Sequence, residues 1–249
     1  MSSASDWLLE LGHTRLKVAP LAGPRPGPVE AMAAERFGNW LAELKPDPSS
    51  RFWLAAVPEP GAVRALTDCL DAAGLAWRRV HKESGLLPVA PAYDSLGVDR
   101  WLALQPPWLE QRRALCVVDC GSALTIDLVD GRGRHHGGWI APGPDACRDA
   151  LFRRAPVLRG DAVPPPHTLA PACSTGEGIA RGLLLLQAGA IEQALEQAAR
   201  LPEFGRRPHC VLTGGAGESL AAVLASVQLW PDLVLDGLAL AVERIKASR

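Results

Sequence analysis

The chain has 249 residues, 48% of them hydrophobic, and a net charge of −1. That apolar content can bury the core of one large domain or two smaller ones, while a near-neutral chain with no basic tail or dense Lys/Arg block offers no electrostatic footprint for nucleic acid. The longest apolar run, around Leu183–Leu186, is far short of the roughly 20 residues a membrane span needs, and "MSSASDW" lacks the basic-then-apolar order of a secretory leader.

In chain order, Trp7–Leu11 and Arg15–Pro20 read as a hairpin. Val29–Leu44 carries Met32, Phe37, Leu41 and Leu44 at roughly helical spacing. Phe52–Val57 is a short buried strand, Val63–Ala73 a helix stopped by Gly74, and Trp77–Val80 another strand. A second unit starts near Ala114, with strands Leu115–Val118, Leu124–Val129 and Arg134–Ile140, the last two joined by a turn at Asp130–Gly133. Pro156–Pro171 is too proline-rich for a regular element and reads as a surface loop. Gly176–Ala199 is a long helix, His209–Leu212 a strand, Glu218–Val227 a helix, and Leu233–Leu240 leads into a final helix. Strand–helix alternation predicts a layered α/β fold. The two lobes expected are residues 1–112 and 113–249.

Six cysteines occur, at 69, 116, 120, 147, 173 and 210, and none forms a C-x-x-C pair. They read as buried thiols of a cytoplasmic protein rather than a disulfide frame or zinc site. His135-His136 is not read as a metal pair, because neighbours on a strand point to opposite faces.

One pattern occurs twice. Glu10-Leu11-Gly12-His13-Thr14 and Asp119-Cys120-Gly121-Ser122-Ala123 each run strand end, acid, any residue, glycine, polar residue, next strand. A tight turn exposes backbone N–H groups, and glycine lets a ligand approach them closely. Hydroxyls add donors, and the neighbouring carboxylate can hold the cation a polyphosphate brings. The chain has no G-x-x-x-x-G-K-[ST], which excludes a P-loop. "TGGAGES", Thr213–Ser219, is a strand–turn–helix segment that could seat a nucleoside or phosphate, and on its own reads better as a plain strand–helix connection.

Four segments in order, "LGVDRW" (Leu96–Trp101), "VVDCGSALTIDL" (Val117–Leu128), "GGWIAPG" (Gly137–Gly143) and "VLDGLALA" (Val234–Ala241), resemble the signature of type III pantothenate kinases. "ELGHTRLK" resembles that family's opening D-x-G-N-T-x-x-K. The resemblance implies a duplicated actin/hexokinase-like (ribonuclease H-like) fold, two lobes around a nucleotide cleft. It implies a homodimer that uses ATP, Mg²⁺ and a monovalent cation (K⁺ or NH₄⁺) to phosphorylate pantothenate on the way to coenzyme A. On this resemblance Asp99 is the general base, and Gly97, Val98, Arg100 and Thr175 bind pantothenate. Glu10, Leu11, Gly12, His13, Thr14, Arg15, Leu16 and Lys17 form the first phosphate hairpin, Ser122 contacts ATP, and Asp119 holds the monovalent cation. The residues alone leave Asp99 and Arg100 open to a helix-capping role, and Thr175 open to capping the long helix, with Glu177 in its first turn.

Ser122 stands where the family usually has a threonine, which keeps the hydroxyl, and the sequence departs further from the family pattern at three points. Glu10 stands where the family has aspartate and His13 where it has asparagine; the tyrosine nine residues before the base is Ala90 here, with Tyr93 six before it. These changes keep two other readings open: a non-catalytic nucleotide-binding relative, or a kinase of another small alcohol or acid.

Overall fold

The computed structural model describes residues 5–57, 60–83, 85–160 and 163–248. The chain forms two compact units. One holds the residues through Leu109 together with those from Asp232 on; the other is Glu110–Pro231. No helix among the described residues is long and apolar enough to cross a membrane.

The first unit is built on β1 (Asp6–Leu11), β2 (Leu16–Ala22), β3 (Arg25–Pro26), β4 (Glu30–Met32), β5 (Arg51–Ala56) and β6 (Ala76–Arg79), with helices α1 (Phe37–Leu44), α2 (Pro60–Ala72) and α3 (Val98–Gln111). The sheet order is β3-β2-β1-β5-β6, and β4 also pairs with β2. β1 and β2 form the expected antiparallel hairpin, and β5 runs parallel to β1. Alternation along the strands explains the layering. Leu9 and Leu11 of β1, Leu16 and Val18 of β2, and Phe52, Leu54 and Ala56 of β5 pack with Phe37 and Leu41 of α1 and Val63, Leu66 and Leu70 of α2. The residues between them, Leu8, Glu10 and Lys17 among them, fall on the opposite face.

The second unit contains β7 (Leu115–Cys120), β8 (Ala123–Val129), β9 (His135–Pro142), α4 (Pro144–Arg154), α5 (Thr175–Ala199), β10 (His209–Thr213), α6 (Gly217–Ala221) and β11 (Val227–Leu229). Its sheet order is β11-β10-β7-β8-β9. Read from the other edge, that is the order of the first sheet: an antiparallel hairpin at the centre, parallel strands added beyond its first strand. Cys116, Val118 and Cys120 of β7, Leu124, Ile126 and Leu128 of β8, and Cys210 and Leu212 of β10 pack against Leu184, Ala188, Ile191 and Leu195 of α5. The last helix, α7 (Leu233–Ala247), returns to the first unit.

The structure differs from the sequence reading in four places. The helix predicted over Val29–Leu44 begins only at Phe37, because Glu30–Met32 pairs antiparallel with β2 (Leu16 opposite Met32). The helix predicted over Glu218–Val227 stops at Ala221, and Val227–Leu229 adds a strand parallel to β10. The division at 112/113 leaves out the return of α7, whose Leu233, Leu235, Leu238, Ala239 and Val242 are fully buried. Of the six thiols only Cys116, Cys120 and Cys210 are buried; Cys69 and Cys147 are half-buried and Cys173 is exposed, all of them free.

The turn at Asp130–Gly133 forms as read, and the two histidines beyond it each take a separate carboxylate. His135 Nε2 pairs with Asp127 Oδ1 at 2.9 Å, and His136 Nε2 with Asp130 Oδ2 at 2.8 Å. Asp130 also accepts the backbone N–H groups of Arg132 and Arg134 at 2.8 and 3.0 Å.

Candidate functional site

In the first hairpin, Glu10 is the penultimate residue of β1, paired with Lys17 of β2 on one side and Ala55 of β5 on the other. Lys17 Nζ lies 3.9 Å from Glu10 Oε2 and 3.0 Å from Asp232 Oδ1. Four residues, Gly12–Arg15, turn between the paired Leu11 and Leu16, closed by Gly12 N–H donating to the Arg15 carbonyl at 3.0 Å. His13, Thr14 and Arg15 are exposed on that turn. Leu11 and Leu16 are not: they are 2% and 0% exposed and belong to the core, so their side chains are unavailable to a nucleotide. Strand alternation requires this, since Glu10 and Lys17 occupy the other face.

In the second hairpin, Asp119 is the penultimate residue of β7, as Glu10 is of β1. Its neighbours in register are Thr125 of β8 and Thr213 of β10, which share its face of the sheet. The turn is one residue shorter than the first, with Cys120 opposite Leu124, Gly121 N–H bonded to the Ala123 carbonyl at 3.0 Å, and Ser122 exposed at the tip. Two glycines make room for this corner. Gly214, at φ +87°, packs on it so closely that a Cβ there would overlap Asp119 Oδ1 and lie 2.7 Å from the Cys120 carbonyl. A Cβ on Gly143, the end of "GGWIAPG", would lie 2.7 Å from the Ser122 carbonyl oxygen. The two flanking motifs thus pack directly on the β7–β8 turn. Burial, with the Asp119 and Asp145 carboxylates adding to it, pushes the Cys120 thiol up to about 12, so it stays protonated and takes no part as a nucleophile.

The "GVDR" segment starts α3. Val98 is the first helical residue, and the Trp101 N–H donates to the Gly97 carbonyl at 3.1 Å. The Asp99 carboxylate folds back over Gly97 and accepts the Arg100 N–H at 2.7 Å. The capping reading of Asp99 is therefore present, and it leaves the second carboxylate oxygen outside that bond. Arg100 is buried, 7% exposed, and its guanidinium donates to the hydroxyl of Tyr93, the chain's single tyrosine, at 2.9 Å. The preceding loop is held in register by fully buried Gln105, whose amide accepts from Val89 N–H at 3.0 Å and donates to the Val89 carbonyl at 2.9 Å. Trp101 Nε1 donates to the same carbonyl at 2.8 Å. With Val89 fixed, Ala90 is exposed and Tyr93 is the residue that reaches Arg100.

Thr175 opens α5 as its first helical residue, but the cap is Ser174, whose hydroxyl accepts the Glu177 N–H at 3.4 Å. Thr175 is exposed and outside that bond. The contacts therefore gather Glu10 and Lys17 in one group, Gly97, Asp99 and Arg100 in a second, and Asp119 with the Ser122 turn in a third. Thr125, Thr213 and Asp232 join these groups without having been singled out as site residues from the sequence, and Tyr93, noted there only as displaced from the family's position, joins the second. Thr125 could have been found by folding the second hairpin about Ser122, which sets it opposite Asp119; Thr213 comes from the separate parallel pairing of β10. Among the described residues, no group of three or more His, Cys, Asp or Glu side chains could hold a metal ion.

The two like-ordered sheets, each presenting an acid at the end of its central strand, define an ATPase-type fold of the actin/hexokinase class. The same fold is seen, at TM-score 0.64 and 19% identity over 97% of this chain and 98% of the other, in a conserved Campylobacter jejuni protein assigned to the Baf family of transcriptional activators. A chain of the PilM–PilN type IV pilus biogenesis complex matches at TM-score 0.54 and 12% identity, covering 98% and 99% of the two chains. The sequence profile of type III pantothenate kinase matches residues 8–197. A type III pantothenate kinase of Stenotrophomonas maltophilia (strain R551-3) is 37% identical over 244 residues, 94% of this chain and 96% of the relative. One from Xanthomonas euvesicatoria pv. vesicatoria (strain 85-10) is 34% identical over 244 residues, with the same coverage. This chain belongs to the type III pantothenate kinase family.

Proposed function

We propose that the chain transfers the γ-phosphoryl group of ATP to the 4′-hydroxyl of pantothenate, the first step of coenzyme A biosynthesis, in the cytoplasm and as a homodimer. The observation that carries this reading is the recurrence of one hairpin, with its acid at the same strand position, in two sheets of the same order. Phosphoryl transfer asks the protein mainly for positioning and charge neutralisation. The exposed turn Gly12–Arg15 and Lys17 take the phosphates, and the Ser122 hydroxyl adds a donor from the second hairpin. Asp99 accepts the hydroxyl proton as the new P–O bond forms and the bond to ADP breaks. Arg100, with the Gly97 and Val98 backbone and the Thr175 hydroxyl, orients pantothenate.

The donor set suits ions that arrive with the nucleotide. Mg²⁺ is commonly held by one or two carboxylates plus substrate phosphates rather than by an all-protein cage. Glu10 would hold Mg²⁺, and Asp119, with Thr125 and Thr213 beside it in register, would hold K⁺ or NH₄⁺. When bound, these ions neutralise charge on the phosphates. The Glu10 and His13 changes alter the first hairpin without removing its carboxylate, its lysine or its exposed turn.

The test is a coupled assay of ADP release with ATP and pantothenate, with and without K⁺. The expected result is turnover that rises with K⁺. ATP binding with no phosphorylation of pantothenate would overturn the assignment.

A further inference from the structure

Asp232 lies beside the first hairpin although it is more than two hundred residues away in sequence. β1 and β2 turn Leu9, Leu11, Leu16 and Val18 into one core, which leaves Glu10 and Lys17 on the other face. Helix α7 packs on β1, and its start brings Asp232 to within 3.0 Å of the Lys17 ammonium. Two features of Asp232 are unusual. It immediately precedes a helix, where an aspartate ordinarily accepts a backbone N–H of the first turn, yet its side chain makes no capping bond. Its backbone is also left-handed, at φ 57° and ψ 25°, a conformation a non-glycine residue adopts at a cost. The carboxylate forgoes the cap in favour of Lys17.

We propose that Asp232 is a positioning residue for the phosphate hairpin, fixing the Lys17 ammonium beside Glu10 so that it meets the nucleotide phosphates already oriented. Asp232 Oδ1, at 3.0 Å, lies closer to the ammonium than Glu10 Oε2, which at 3.9 Å is at the limit of an ion pair. A free lysine side chain samples many rotamers; a lysine held beforehand has less of that freedom to lose on binding. The proposal rests on the reading of Lys17 as a phosphate contact.

The experiment uses the full chain, with ATP affinity measured both as KM and by titrating intrinsic tryptophan fluorescence with ATP. Asp232→Asn is expected to weaken ATP about two- to fivefold, the range of a half-exposed ion pair, with kcat and the KM for pantothenate within twofold of the parent. Asp232→Glu should recover most of the loss. In a Lys17→Met background Asp232→Asn should add nothing. A merely structural role at the head of α7 would instead lower the folded fraction, and with it kcat, while leaving ATP affinity unchanged. Unchanged or tighter ATP binding in Asp232→Asn overturns the proposal, as does an equal loss in the Lys17→Met background. If Lys17→Met by itself leaves ATP affinity untouched, the phosphate role of Lys17 has failed and the proposal falls with it; that result is distinguishable because it appears before Asp232 is altered.

Discussion

Asp99 occupies the first turn of α3 with one carboxylate oxygen bonded to the Arg100 N–H. Asn keeps that acceptor and the side chain's shape but cannot take a proton. A placed general base contributes about 10²–10⁴-fold, so Asp99→Asn should cut kcat by that factor while circular dichroism and the thermal midpoint stay near the parent's. Tyr93 supplies the phenol that meets the Arg100 guanidinium, and Arg100 is almost wholly buried. Tyr93→Phe leaves a buried cation short of an acceptor, and bonds to charged groups are worth about 1.5–3 kcal/mol. The expected outcome in steady-state kinetics is a KM for pantothenate raised by about tenfold or more, with little change in the KM for ATP. At this scale the sequence revealed the charged residues but not their partners. The spacing made Tyr93 look three residues out of place. Only the clasp of Gln105 and Trp101 on Val89 shows how that loop delivers it to Arg100.

The β8–β9 connection is an element whose stability depends on pH. Burial alone would raise the Asp130 carboxyl, but the His136 bond and the N–H groups of Arg134 and Arg132 outweigh it and hold the pKa below the ordinary carboxylate value. A carboxyl depressed in the folded state contributes stability that is complete above its unfolded pKa, ~4, and is lost as pH falls through the folded value. Asp130→Asn should therefore lower the urea midpoint more at pH 7 than at pH 3. A constant difference at both pH values would contradict the cause given. The strands, the hairpins and the long helix were legible because period-two alternation and turn residues are local signals. The two misread segments, Val29–Leu44 and Glu218–Val227, are those where pairing with a distant strand overrode a helix-like pattern.

For the molecule as a whole, two sheets of one order describe a duplicated architecture, and the repeated acid–glycine turn was its visible trace in the sequence. What the repeat did not reveal was the path of the chain: residues from Asp232 on complete the first unit, and nothing local in "VLDGLALA" says which sheet it will cover. Assembly belongs to this scale too. Leu185 and Leu186 on α5 are 56% and 58% exposed, large apolar side chains that the monomer leaves uncovered. If the proposed homodimer uses this face, Leu186→Asp should halve the mass measured by light scattering without shifting the far-ultraviolet spectrum.

The return of α7 also orders events during synthesis. Chains emerge from the ribosome N-terminus first, at about 5–20 residues per second, so Glu110–Pro231 is fully translated before the helix that buries the far face of β1 and β5 exists. The unit that begins first finishes last, and a ribosome that stalls late releases a chain with one finished half and one open sheet. Since Asp232 and its lysine meet only when that final segment docks, the hairpin that carries Glu10 and Lys17 is completed in the same act that closes the first unit.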